Sequence, residues 1–268
     1  MQDIQNQLDE RGITIQQTGV NNVCLPFLIL MDGKTQPIQA AIKFTVSLSQ
    51  RFRGTHMSRL MEILTDWTSK PVSISDFQNI LVEATDKLST NAAAIRIAFK
   101  YFVEREAPVS GKASLLDVDC VFDAELVDGR FDSTLSVKVP LTTLCPCSRE
   151  ISDFGAHNQR SVCTLTVKFA SLNDTISING LVKLVEAQAS SPLYSILKRE
   201  DEKHVTEAAY QNPKFVEDIL RDVVIAARQI NGVKWFRVEC ENFESIHNHN
   251  AYACHEEIFN EHTGQELY

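Results

Sequence analysis

Asp128-Gly129 stands near the middle of the chain between two stretches of alternating apolar and polar residues. Leu115 to Val127 precedes it, and Leu135, Val137 and Val139 alternate behind it. Asp-Gly is a strong hairpin signal, because a two-residue turn of this kind needs positive φ at both positions. Two half-buried strands joined by so short a turn are antiparallel. The hairpin also divides the chain into halves whose elements come in the same order.

Residues 1–12 are polar and read as a loose arm or short helix. Val23 to Met31 is strand-like, Asp32-Gly33 turns the chain, and Ile38 to Leu48 returns. The period then lengthens: Leu60, Met61, Leu64 and Trp67 share a helical face, and Pro71 stops that helix. Ser75 and Gln78 read as a capping box for a second helix carrying Phe77, Ile80, Leu81, Ala84 and Leu88. Ile95, Ile97, Phe99 and Tyr101 alternate as a strand, and Ser110-Gly111 leads into the next. Behind Asp128-Gly129 come a strand to Leu141, a polar loop, and a strand from Val162 to Phe169. A helix over Leu181, Leu184 and Val185 breaks near Ser191-Pro192. A longer helix after Pro213 carries Phe215, Ile219, Val223, Ala226 and Ile230, with Asn231-Gly232 at its end. Trp235 to Glu241 and Tyr252 to Ile258 are the last strands. The expected fold is α+β: tandem ββααββ modules, 1–127 and 128–268, with helices on one face of an antiparallel sheet. Such a sheet has two edges to protect, and closure with other subunits is one way to do it.

The loop Leu144–Ser161, LCPCSREISDFGAHNQRS, carries Cys145, Cys147 and His157. Thiolate and imidazole suit a divalent ion such as zinc or iron. The spacing is not that of a zinc finger. The plainer reading is a loop whose cysteines are small apolar filler.

The same stretch resembles the signature of the type IB GTP cyclohydrolases, the prokaryotic enzymes that open pterin and folate synthesis. Arg53-Gly54-Thr55-His56-Met57-Ser58-Arg59, Asp201-Glu202-Lys203 and Asn242 to His249 agree with it, in the family's order. The resemblance implies tunnelling-fold modules that assemble into multimeric barrels, most simply a homotetramer, with active sites at subunit interfaces. It implies hydrolysis of GTP to 7,8-dihydroneopterin triphosphate and formate. It also implies a divalent metal (manganese, zinc or iron) and no organic cofactor.

By that resemblance Cys145, His157 and Glu202 are the metal ligands, and Cys147 is a fourth ligand or a proton-carrying thiol. Glu217 holds the guanine amino edge, where a carboxylate accepts two N–H groups. His247 moves protons, with Glu244 setting its orientation. His249 joins the substrate contacts. His56, Ser58 and Arg59, at a helix start, form a triphosphate cradle. Each has a plainer reading: Glu202 lies in a solvated charge run, Glu217 complements a helix dipole, and Glu244 to His249 is an exposed turn.

A formal charge of −9 argues against a nucleic-acid binder and requires a local basic pocket for any polyanion. Arg51, Arg53 and Arg59, and Lys198 with Arg199, are candidates. No apolar run is long enough to span a membrane, and no signal peptide is legible, so a cytoplasmic protein with reduced cysteines is expected. Cys120, Cys163 and Cys240 fall in strand patterns and read as core. Two other functions compete: another pterin or deazapurine enzyme of the same fold, and a non-catalytic protein with a structural metal.

Overall fold

A computed structural model describes residues 3–31, 33–170 and 177–259. Its strands are β1 Ile15–Met31, β2 Lys34–Leu48, β3 Pro71–Val72, β4 Ala92–Glu106 and β5 Ala113–Val127, then β6 Arg130–Leu144, β7 Asn158–Phe169, β8 Ser191–Pro192, β9 Val233–Asn242 and β10 Ala251–Ile258. Its helices are α1 Met57–Trp67, α2 Asp76–Leu88, α3 Pro146–Ile151, α4 Ile178–Glu186, α5 Arg199–Gln211 and α6 Val216–Ala227. Among these residues the hydrogen-bonded strand order is β10-β9-β7-β6-β5-β4-β2-β1-β3, with β8 on β6. The sheet is mainly antiparallel and open, and the fold is mixed α+β with helices on one side.

The chain forms two compact units, Met1–Lys100 with Val121–Leu135, and Tyr101–Cys120 with Ser136–Tyr268. In the first, α1 packs on β1 and α2. Leu60, Ile63 and Leu64 of α1 and Ile80 and Leu81 of α2 are fully buried with Phe44, Ile95 and Ile97. Burial of each such side chain stabilises the fold by about 1.5–3 kcal/mol. The Phe77 and Phe122 rings pack tilted against each other, with centroids 4.5 Å apart. The Asp128-Gly129 turn has φ of 49° and 76°, as a tight hairpin requires. Asn91 holds Asp128 from both sides: its carbonyl accepts the Asp128 N–H at 2.9 Å, and its amide donates to Oδ1 at 2.8 Å. Asp32 lies outside the described residues, while Gly33 has φ of 71° between β1 and β2.

In the second unit, α4 packs on β7, and α6 packs on β9 and β10. Leu181, Val182 and Val185 of α4 and Ile219, Val223 and Ala227 of α6 meet the inward rows of β7 and β9. Those rows are Cys163, Leu165, Val167 and Phe236, Val238, Cys240, each fully buried. Cys120, Cys163 and Cys240 are therefore core residues, and all seven cysteines are free.

Three local readings change. The cap of α2 is built by Asp76, which accepts from the Ser73 N–H at 2.8 Å and its hydroxyl at 2.5 Å; Ser75 makes no side-chain cap. The polar loop after β6 contains the short helix α3. The charge run at Lys198–Lys203 begins helix α5. Asp201 is its anchor: fully buried, it accepts from the backbone N–H groups of Lys198, Val109 and Ser110 and from the Ser110 hydroxyl.

Candidate functional site

At one end of the second unit the inward rows of three strands change from apolar to polar. On β6, Val137, Val139 and Leu141 are followed by Thr143. On β7, Leu165 and Cys163 are preceded by Ser161 and Gln159. On β9, Val238 and Cys240 are followed by Asn242. All four polar residues are buried, from fully for Thr143 and Ser161 to 7% exposed for Gln159. Gln159 donates to Thr143 Oγ1 at 2.8 Å, and Ser161 donates to Asn242 Oδ1 at 2.7 Å. Buried amides and hydroxyls at a sheet end carry a desolvation cost that core-building does not require, which marks the end as a site.

The segment entering α6 closes over this end. The Lys214 N–H donates to the Leu144 carbonyl at 3.0 Å. Beneath it lies a cavity of about 190 Å³, lined among others by Cys145, Gln159, Lys214, Glu217, Asn242 and Glu244. Drug-sized pockets run to roughly 300–1,000 Å³, so this space suits a ring system more than a whole nucleotide. Lys214 Nζ is paired with Asp222 at 2.5 Å. The α6 cap is supplied by Asp218, which accepts the Phe215 N–H at 2.9 Å. Glu217 is therefore not needed as a cap, and neither it nor Glu244 has a hydrogen-bond or ion-pair partner among the described residues.

The Cys145 loop is tightly folded. Cys145 caps α3, its Sγ accepting the Ser148 N–H at 3.5 Å, and Pro146 occupies the first helical turn, where it displaces no hydrogen bond. The Cys145 N–H donates to the His157 carbonyl at 3.1 Å. The His157 N–H donates to the Ser148 hydroxyl at 3.2 Å, which in turn donates to the Cys145 carbonyl. The backbones of two residues twelve positions apart in sequence are thus held together, directly and through one serine. His157 Nδ1 meets Gln159 Oε1 and Ser245 Oγ, each at 3.1 Å, and Nε2 has no hydrogen-bond partner among the described residues.

The other expected residues are distributed as follows. Cys147 is exposed on α3. Glu202 is exposed on α5, and among the described residues no three His, Cys, Asp or Glu side chains form a metal-sized group. The residues fit a metal in part: Cys145 and His157 bring sulfur and nitrogen donors into one loop tied by backbone bonds, and the third ligand is not gathered with them. His247 and His249 are exposed and stacked, with ring centroids 5.2 Å apart. His56, Ser58 and Arg59 lie in the first unit. His56 Nε2 faces Asp3 at 3.4 Å without hydrogen-bond geometry, and Arg59 donates to the Lys87 carbonyl at 2.9 Å. Two lining residues, Gln159 and Asn242, were missed by the sequence reading.

An α+β fold of this kind is shared with solved urate oxidases. The urate oxidase of Bacillus sp. TB-90 superposes with a TM-score of 0.52 at 8% identity, covering 92% of this chain and all of the other. The uricase of Arthrobacter globiformis gives 0.52 at 7% identity, over 92% of this chain and 94% of the other. The family itself is set by sequence: residues 1–253 match the type I GTP cyclohydrolase FolE2 family, and the chain belongs to it. Similar proteins include the GTP cyclohydrolases FolE2 of Syntrophus aciditrophicus, 46% identical over 94% of this chain and 98% of that one, and of Geotalea uraniireducens, 45% identical over 94% and 92%. That of Dictyoglomus thermophilum is 46% identical over 95% of this chain and 97% of its own.

Proposed function

We propose that the cavity at the end of β6, β7 and β9 is where this GTP cyclohydrolase, of the type IB kind, opens the guanine ring. The reaction takes GTP and, net, one water to 7,8-dihydroneopterin triphosphate and formate, the entry to tetrahydrofolate synthesis. The observation that supports the cavity most is that Glu217, without a partner among the described residues, lines the same space as Cys145. A carboxylate free of protein donors is what the N1–H and 2-amino group of guanine require.

Cys145 and His157 would hold a divalent ion (manganese, zinc or iron), with Glu202 as third ligand. Such an ion, when bound, makes water a competent nucleophile near neutral pH. Glu217 orients the base so that C8 faces that end of the cavity. His247, oriented by Glu244, and Cys147 carry protons to and from the purine nitrogens as the ring opens and C8 leaves as formate. His249 adds a substrate contact, and His56, Ser58 and Arg59 take the triphosphate.

The same reading makes the chain a cytoplasmic homotetramer of tunnelling-fold modules, 1–127 and 128–268, with sites at subunit interfaces. Two observations favour assembly: among the described residues β10 is an edge strand of the sheet, and Phe154 and Ile151 beside the Cys145 loop are 100% and 84% exposed. Among the described residues no helix is long and apolar enough to cross a membrane.

The test is incubation of the full chain with GTP and manganese or zinc. Formate and, after oxidation, fluorescent neopterin should appear together. Intact GTP in the presence of bound metal would leave the non-catalytic metal protein as the better reading.

A further inference from the structure

We infer that Asn242 is a substrate-reading residue, donating a hydrogen bond from Nδ2 to O6 of the guanine whose amino edge Glu217 holds. The inference rests on the proposed guanine cavity and goes beyond it by assigning a second, opposite polarity to its wall.

Asn242 ends the inward row of β9, two positions after Cys240 and opposite Ser161. The residue is only 2% exposed, yet it lines the cavity. Its amide is half used. Oδ1 faces the fully buried Ser161 hydroxyl at 2.7 Å, a hydroxyl that also reaches the Glu241 carbonyl at 3.1 Å. Nδ2 has no protein acceptor among the described residues, and it is not sealed off from probe-sized space as an orphaned buried donor would be. The other lining amide, Gln159, has both its nitrogen and its oxygen engaged, at Thr143 and His157. Asn242 is the lining amide whose nitrogen has no protein partner among the described residues.

Guanine presents two donors, N1–H and the 2-amino group, and the acceptor O6 directly beside N1. Glu217 is an acceptor only, and the Asn242 Nδ2 is a donor only. Together they match guanine. A base with an amino group at C6 would set donor against donor at Asn242 and leave both unpaired, which is where polar sites discriminate most strongly.

The variant that tests this is Asn242→Asp. It keeps the shape and the acceptor for Ser161 and replaces the donor by an acceptor. The measurement is affinity for GTP and for 2,6-diaminopurine riboside triphosphate, by competition calorimetry on the full chain, at pH 8 and with divalent metal removed so that nothing turns over. The second nucleotide lacks N1–H with parent and variant alike, so the change in the ratio of the two affinities on substitution reports the C6 group. The expected result is that N242D shifts this ratio towards diaminopurine by roughly tenfold to a hundredfold. Asn242→Ala should weaken GTP about tenfold and reduce the preference without reversing it. An unchanged ratio in N242D, with GTP still bound by the parent, overturns the role of Asn242 alone. A parent protein that binds neither nucleotide overturns the guanine cavity itself, and this inference with it.

Discussion

His157 Nδ1 lies 3.1 Å from Oε1 of Gln159, a buried side chain whose own amide nitrogen donates to Thr143 at 2.8 Å. With the amide nitrogen placed on Thr143, Oε1 faces the imidazole, an arrangement that favours the Nδ1–H tautomer and a lone pair on Nε2 for a metal. Ser245, also at 3.1 Å, can donate or accept and so does not fix the tautomer by itself.

Gln159→Leu should therefore lower the share of the Nδ1–H tautomer of His157 in metal-free protein, read from imidazole 15N shifts. Zinc affinity should fall by about 10- to 100-fold, the usual effect of removing such a partner. A parent-like tautomer in Q159L would mean that Ser245 or solvent sets it.

Asp201 predicts a pH dependence. Burial raises its pKa, and the hydrogen bonds from Ser110, Lys198 and Val109 outweigh burial and hold it well below the usual carboxylate range. A depressed folded-state value stabilises the fold above the ordinary Asp pKa of about 3.9 and loses that contribution as pH falls below it. Asp201→Asn should lower the unfolding temperature at pH 7, and the difference from the parent should shrink as pH drops below about 4. A difference that does not change with pH would show that the charge is not what anchors α5.

Cysteine reactivity should divide by position. Burial, with the neighbouring Asp119 charge, pushes the Cys120 thiol up to about 12. The Cys163 thiol is raised by its hydrogen bond with Cys240 and by burial. Iodoacetamide at pH 7.5 should label the exposed Cys24, Cys147 and Cys254 in the native protein and leave Cys120, Cys163 and Cys240 until unfolding. Cys145 should become reactive only once metal is chelated. Peptide mass spectrometry reads each site, and equal labelling of Cys145 with and without metal would contradict its role.

Glu217 and Glu202 should separate. Glu217→Gln places a donor where guanine offers donors, at a cost of about 1–3 kcal/mol, or roughly tenfold to a few hundredfold in affinity. Its metal content should match the parent. Glu202→Gln should lose metal first. Calorimetry and elemental analysis on the same samples check the pair, and metal loss in E217Q would refute the division.

The strand and helix order was legible because hairpin chemistry and apolar periodicity agree along most of the chain: Asp128-Gly129 does turn, and α1, α2 and α4 bury most of the faces their spacing defines, whereas α6 buries Val216, Val224 and Ala227 beside Ile219 and Val223 and leaves Phe215 39% exposed. Helix α5 was not legible, because only Asp201 and Ala209 on it are buried and its charges read as solvated surface. What makes it a helix end is a set of bonds from Val109 and Ser110, some ninety positions away. Cys145 and His157 were visible as residue types, whereas their union through Ser148 is a loop geometry that spacing does not encode. Asn242 and Gln159 left a signal that was passed over. Each extends an inward alternation with an amide where the pattern demands an apolar side chain, and a buried polar residue in a core row needs a reason.

The claim that matters most is that Cys145 and His157 hold the ion needed to open guanine. Cys145→Ala and His157→Ala, each checked for a parent-like circular dichroism spectrum, should be assayed side by side for metal per chain and for formate released from GTP. The account predicts that both quantities fall together, to a small fraction of the parent, in both variants. Folded variants that retain full metal and full formate release would contradict it.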